Sequence, residues 1–270
     1  MPAQVRAVLQ RIGACRDARH DVPGRLVPRL DQAADCGVRR VQLIGGEPTM
    51  HPDALDLVDR ALSLGLRVEV YSNLVHLSAK WWAMLQRDGV SLATSYYSDQ
   101  ADEHNAITGR RTYALTRANI EKAVRLGIPL RVGITETTER QRVDQACREL
   151  EALGVRRVSV DRARPFGRAA VDGQEPDTSG LCGRCGTGRA AISPTGDVSP
   201  CVFSSWMGVG NVREDSLAAI LGDPAMADAN ASVRATGKTG GEDDDDDGCD
   251  PVGDGECTPG YPSSSCSPRN

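Results

Sequence analysis

The stretch VQLIGGEPTM, residues 41–50, closes a short apolar run with two glycines, a glutamate and a proline. Paired glycines at the end of a strand let a ligand approach the main chain closely, because no side chain shields the amide and carbonyl groups. Glu47 adds a carboxylate that suits an ammonium group, and Pro48 restricts the path of the loop. An ordinary tight turn between a strand and a helix would use the same residues, so the flanking sequence has to decide.

One pattern recurs five times between about residues 25 and 165: an amphipathic helix, a glycine near its end, and a β-branched strand. We expect each glycine to stop its helix in a left-handed cap, and each strand to be apolar on both faces, as in buried parallel sheets. The glycines are Gly37, Gly65, Gly89, Gly127 and Gly154. Five such units predict an α/β fold built as a partial, open βα barrel, with ligands bound in the loops that follow the strands.

Composition narrows the function classes further. The chain has 270 residues and a formal charge of -5, so it lacks the basic field that binds nucleic acid. The N-terminal stretch AQVRAVLQRIG is predicted to be a helix. Arg6 and Arg11 interrupt it, which excludes a signal peptide, and no segment approaches the roughly 18 apolar residues of a membrane-spanning helix. We therefore expect a cytoplasmic protein with no membrane partner.

Nine cysteines are unevenly distributed along the chain. Cys15, Cys36 and Cys147 stand singly in apolar stretches and are interpreted as small buried hydrophobic residues. The other six lie in the last third and resemble metal ligands: Cys182, Cys185, Cys201, Cys249, Cys257 and Cys266. Cysteines alone do not separate zinc from an iron-sulfur cluster, and a redox role for the CxxC pair is a third interpretation.

A strand that ends in GGEP within a partial βα barrel resembles the radical S-adenosylmethionine (radical SAM) superfamily. The segments VEVYSNL, SLATSYYSDQADEHNAITGRR and GIPLRVGIT resemble later strands and loops of that family, so the resemblance covers about residues 25–225. It implies that Gly45, Gly46, Glu47 and Pro48 contact the methionine end of S-adenosylmethionine, and that Ser72, Asn73 and Ser95 contact its ribose and carboxylate. Asn73 could instead cap a loop, and Ser95 could be a solvated strand end. We assign no role to His51, His76 or His104.

The family also places a CxxxCxxC motif before GGEP, which binds a [4Fe-4S] cluster. Here Cys15 is followed by Arg19 and Val22 at the corresponding positions, so the printed chain does not support radical catalysis by itself. Either the printed chain lacks the true N-terminal segment, or the protein has lost the reductive cleavage. We favour the first alternative, because the later cofactor loops are intact.

The segment CGRCGTGRAAISPTGDVSPC resembles the SPASM or twitch extension, which binds auxiliary [4Fe-4S] clusters. This resemblance implies a cluster held by Cys182, Cys185, Cys201 and one of the tail cysteines. The predicted organisation is an atypical segment at 1–24, a barrel at 25–170, a cluster-binding segment at 171–225 and an acidic tail at 226–270.

Together these resemblances predict a radical SAM/SPASM protein that modifies a peptide or protein and receives electrons from a donor such as a flavodoxin or ferredoxin. The alternative is a non-catalytic iron-sulfur or zinc binding scaffold that recognises peptides.

Overall fold

The computed structural model describes residues 6–10, 27–166, 175–181 and 188–236. These residues fall into two compact units. The first holds the described residues up to Val68 and those from Arg164 onward, and the second holds Glu69–Ala163. The division falls inside one strand, Arg67–Tyr71.

The first unit combines parallel strands with an antiparallel extension. Its strands are β1 (Arg6–Gln10), β2 (Arg40–Ile44), β7 (Arg189–Ile192), β8 (Asp197–Ser199) and β9 (Gly210–Asn211), and it also holds the start of β3 (Arg67–Tyr71). Strand β1 pairs in parallel with both β2 and β7, whereas β8 pairs antiparallel with both β7 and β9. The helices of this unit are α1 (Val27–Asp35), α2 (Ala54–Ser63), α7 (Leu217–Gly222) and α8 (Pro224–Thr236).

Strand β1 corrects the prediction that the N-terminal stretch is helical. Residues 6–10 form a strand in register with β2, with Val8 opposite Gln42, and in register with β7, with Val8 opposite Ala191. The local residues Ala, Leu, Gln and Arg favour a helix, but hydrogen bonding to two neighbouring strands overrides that weak preference. A strand therefore precedes β2 after all.

The second unit is the main run of βα units. From the end of β3 it continues through β4 (Val90–Tyr96), β5 (Leu130–Glu136) and β6 (Arg157–Arg162), whose order in the sheet is β3-β4-β5-β6. The pairs β4–β5 and β5–β6 are parallel. Its helices are α3 (Ala79–Leu85), α4 (Ala101–Thr108), α5 (Tyr113–Arg125) and α6 (Val143–Ala152).

The five predicted strands are all present, as β2 to β6, and the α/β fold class is confirmed. The left-handed glycines are also confirmed: Gly37, Gly65, Gly89, Gly127 and Gly154 all have φ between 68° and 87°. No helix among the described residues is long and apolar enough to cross a bilayer.

The prediction that these strands are apolar on both faces is wrong for the second unit. Alternate residues such as Val70, Leu92 and Val132 form an apolar face and are almost fully buried. The opposite face carries charge, because Glu69 on β3 and Arg131 on β5 are buried there as an ion pair. This face therefore holds charged groups that are paired with each other, as buried charges require.

Candidate functional site

The loop after β2 presents main chain rather than side chains. Gly45 and Gly46 both have positive φ, at 90° and 61°, a conformation that L-residues disfavour. Glu47 then begins a short 3-10 turn, Pro48–Met50, with the buried Pro48 in its first position. The two glycines therefore open a curved stretch of backbone directly at the carboxyl end of β2.

The Glu47 carboxylate is fixed in place by its own turn. Its Oε1 accepts hydrogen bonds from the Thr49 N–H, at 3.2 Å, and from the Thr49 hydroxyl, at 2.7 Å. Glu47 is half-buried, so the carboxylate is shielded without being removed from the surface. The two hydrogen bonds fix the orientation of a carboxylate, the type of group that receives an ammonium ion.

The turn after β3 contains the predicted site residues Ser72 and Asn73. The Ser72 hydroxyl accepts a hydrogen bond from the Leu74 N–H at 3.1 Å, and the Asn73 side-chain oxygen accepts one from the Val75 N–H at 2.8 Å. Asn73 thus stabilises the loop, which was one of the two interpretations of this residue. Its contact with a cofactor stays a prediction, as does that of Ser72, which is 1% exposed.

Leu74 is the one residue other than glycine with positive φ among the described residues, at 57°. It is fully buried, and its carbonyl accepts a hydrogen bond from the Asn119 amide at 2.6 Å. The preceding carbonyl, of Asn73, accepts one from the Thr116 hydroxyl at 3.1 Å. Burial and two hydrogen bonds from α5 hold a left-handed conformation that costs a leucine about 1–2 kcal/mol.

Ser95 lies on β4, on the charged face of the sheet. Its hydroxyl is 2.8 Å from the hydroxyl of Tyr71 on the neighbouring strand. The Arg131 guanidinium lies 5.5 Å from the centre of the Tyr71 ring and forms two 2.7 Å hydrogen bonds to the Glu69 carboxylate. Ser95 is half-buried and belongs to a connected polar group, and its contact with a cofactor stays a prediction.

Glu69, Tyr71 and Arg131 were missed by the sequence analysis. A signal for them exists, because RVEVYS and LRVGITE alternate polar and apolar residues with the period of a strand that has two different faces. The prediction of strands apolar on both faces did not use this alternation.

Of the predicted metal ligands, Cys201 lies among the described residues. It follows β8, is 3% exposed, and packs in a cluster with Leu181 and Val233, flanked by Phe203 and other aromatic residues. Its sulfur accepts a hydrogen bond from the Phe203 N–H at 3.5 Å, so the side chain has a polar partner inside an otherwise apolar cluster.

The other predicted ligands lie outside the described residues: Cys182, Cys185, Cys249, Cys257 and Cys266. Cys15 lies outside them too. Within the described ranges, no group of three or more His, Cys, Asp or Glu side chains is placed to hold a metal ion.

His51 and His104, to which no role was assigned, each contact neighbouring residues in the structure. His51 accepts a hydrogen bond from the Asp53 N–H at 3.2 Å. His104 is 1% exposed, and its ring lies 5.1–5.6 Å from those of Tyr96, Tyr97 and Tyr113. Burial lowers the pKa of His104 to about 4, so it is neutral at pH 7.

Comparison with known protein families and relatives agrees with this geometry. The model of the radical SAM superfamily matches residues 9–144, just over half of the chain, and the model of the SPASM iron-sulfur cluster-binding domain matches residues 182–250. The first match contains the loop after β2 and most of the second unit. The boundaries predicted for the barrel and the cluster-binding segment stay predictions.

Two relatives carry names that describe their function. The PqqA peptide cyclase of Streptomyces rochei is 30% identical over 142 residues, which are 51% of this chain and 38% of that protein. The antilisterial bacteriocin subtilosin biosynthesis protein AlbA of Bacillus subtilis (strain 168) is 23% identical, over 73% of this chain and 52% of AlbA. The chain thus spans about two fifths to half of the length of these relatives.

Solved structures share the fold. Streptococcus suis SuiB bound to the precursor peptide SuiA has a TM-score of 0.67 at 15% identity, covering 87% of this chain and 67% of SuiB. The protein anSMEcpe with bound AdoMet has a TM-score of 0.64 at 11% identity, covering 85% and 81% of the two chains. With the GGEP loop and the two family matches, these likenesses lead to one conclusion: this chain belongs to the radical SAM superfamily and carries a SPASM domain.

Proposed function

We propose that this protein binds S-adenosylmethionine at the loop after β2 and modifies a peptide or protein substrate by radical chemistry. Membership of the radical SAM superfamily supports the cofactor, since the family uses S-adenosylmethionine together with iron-sulfur clusters. The names of the relatives support the substrate class, because one is a peptide cyclase and another takes part in the biosynthesis of a bacteriocin. A cytoplasmic location and a flavodoxin or ferredoxin as electron donor belong to the same proposal.

The observation that carries the proposal is the left-handed conformation of both Gly45 and Gly46 at the end of β2. There the main chain is open to a ligand, and Glu47, oriented by Thr49, offers a carboxylate to the methionine ammonium group. Pro48 is buried and holds the turn. Ser72, Asn73 and Ser95 would serve the ribose and the carboxylate. When bound, S-adenosylmethionine would supply the radical chemistry typical of the family, given an electron from a [4Fe-4S] cluster.

Gly46→Ala tests the cofactor loop, with Gly37→Ala as the matched control. Both glycines have similar positive φ, 61° and 74°, so each substitution should cost about 1 kcal/mol of stability. We expect Gly46→Ala to weaken S-adenosylmethionine binding at least about tenfold by isothermal titration, because the added methyl group meets the ligand, and Gly37→Ala to leave it unchanged. Equal affinities for the two variants would refute the site.

Cys201→Ala tests the cluster ligand, with Cys36→Ala as its control. The auxiliary cluster in this proposal uses Cys182, Cys185, Cys201 and one tail cysteine from Cys249, Cys257 and Cys266. After anaerobic reconstitution, iron and sulfide analysis should show a loss of about four irons per chain in Cys201→Ala and none in Cys36→Ala. Unchanged iron and sulfide in Cys201→Ala would remove this residue from the ligand set.

Metal analysis and the S-adenosylmethionine titration together separate the alternative, a non-catalytic iron-sulfur or zinc binding scaffold that recognises peptides. The absence of CxxxCxxC from the printed sequence is the observation that favours it. A scaffold with zinc would contain the metal without sulfide, and a scaffold with a cluster would bind iron but not S-adenosylmethionine.

A further inference from the structure

We infer that Tyr71 is a positioning residue that orients the Ser95 hydroxyl toward S-adenosylmethionine, and that the Arg131–Glu69 ion pair holds Tyr71 in place. The inference rests on the proposed function, since it assumes that Ser95 contacts the cofactor. It concerns residues of the second unit that no motif marks.

The first step is the reach of the ion pair across the sheet. Arg131 on β5 bonds Glu69 on β3, although β4 lies between these strands. Strands two apart are separated by about 10 Å, a distance that only long side chains span, and only over a small residue. Ala93 is the residue of β4 in register with Arg131, and it is fully buried. The pair therefore lies over Ala93.

The second step is the contact between Arg131 and Tyr71. The guanidinium carbon lies 5.5 Å from the ring centre, within the range of cation–π attraction. The same guanidinium is fixed by two 2.7 Å hydrogen bonds to a carboxylate, and both partners are buried, with side chains 8% and 7% exposed. A rigid planar group thus limits the motion of the Tyr71 ring.

The third step is the hydroxyl pair. Tyr71 and Ser95 hydroxyls are 2.8 Å apart, so one donates to the other. A phenol is the more acidic of the two, and a nearby cation strengthens it as a donor. Ser95 then accepts from Tyr71, and its own proton turns toward a second acceptor. A carboxylate or ribose oxygen of the cofactor has the chemistry to be that acceptor.

A double-mutant cycle on the reconstituted protein tests this inference, with S-adenosylmethionine affinity and melting temperature as its readouts. We expect Ser95→Ala to weaken binding about tenfold and Tyr71→Phe about fivefold, with the double variant no weaker than Ser95→Ala alone. Tyr71→Phe should keep the melting temperature of the wild type. Tyr96→Phe is the matched control, because its hydroxyl donates to Glu149 on the other face of the sheet. It should lower the melting temperature and leave the affinity unchanged.

Results that differ from these expectations would contradict either the inference alone or the proposed function as well. An unchanged affinity in Ser95→Ala would overturn the assignment of Ser95 in the proposed function and the inference with it. A weakened Ser95→Ala beside a wild-type Tyr71→Phe would overturn the inference alone. The inference would also fall if the two losses added in full, or if Tyr71→Phe melted several degrees lower, since Tyr71 would then act independently of Ser95 or serve the fold.

Discussion

The chain adopts a left-handed backbone conformation after both β2 and β3, but different residue types adopt it. After β2 the left-handed conformation is adopted by Gly45 and Gly46, whereas after β3 it is adopted by Leu74. Glycine reaches this conformation at no steric cost, but leucine does so because burial and hydrogen bonds from α5 compensate for the strain. The first loop depends on its own residues, and the second depends on the packing of its unit. Substitutions should therefore affect ligand binding at the first loop and stability in the second unit.

The largest effect is expected for Arg131→Met, which leaves the Glu69 carboxylate buried without its cation. Such an uncompensated charge costs about 3–5 kcal/mol of folding free energy, measurable by urea unfolding. The double variant Glu69→Leu/Arg131→Met is the control, because it removes both charges and should recover most of the loss. A single-variant cost below about 1 kcal/mol would show that the ion pair is not a stabilising part of the second unit.

The next largest effect is expected on lowering the pH, because His104 in the second unit is buried in its neutral form. Its folded pKa of about 4 lies below the ordinary value of 6.5, so the neutral form stabilises the fold at pH 7, and this contribution decreases as the pH falls from about 6.5 toward 4. The loss between pH 7 and pH 5 should be about 2 kcal/mol.

The control is His104→Phe, which retains an aromatic ring and removes the titrating group. Unfolding curves at pH 7 and pH 5 should differ less for this variant than for the wild type. Identical pH dependence in the two proteins would contradict the role of His104, since His104 is the one titratable group that distinguishes them.

A smaller effect is expected for Asn119→Ala. This variant leaves the carbonyl of the fully buried Leu74 without its 2.6 Å hydrogen bond from the Asn119 amide. A lost hydrogen bond to a buried carbonyl costs about 1–2 kcal/mol, seen as a lower melting temperature. Glu121→Ala on the exposed side of the same helix should cost less than about 0.5 kcal/mol. Equal effects of the two would mean that Leu74 holds its conformation without the hydrogen bond from Asn119.

The two errors in the fold prediction share a physical cause. Residues 6–10 favour a helix locally, but pairing with β2 and β7 makes them a strand. Strands β3 and β5 were predicted to be apolar on both faces, whereas Glu69 and Arg131, two strands apart, are buried partners on one face. The pattern of adjacent residues in the sequence does not predict which strands pair or which residue neutralises a buried charge.

The sequence by itself determined the βα repeat, the glycine caps and the GGEP loop, because each depends on the conformational preferences of a few adjacent residues. It also marked Cys201, since a cysteine after a tight turn is recognisable by spacing. Tertiary structure alone decided that β1 is a strand, that Leu74 adopts a left-handed conformation, and that Tyr71 meets Ser95. Those features depend on contacts between residues far apart in the chain, and their energy comes from burial and pairing that no local stretch contains.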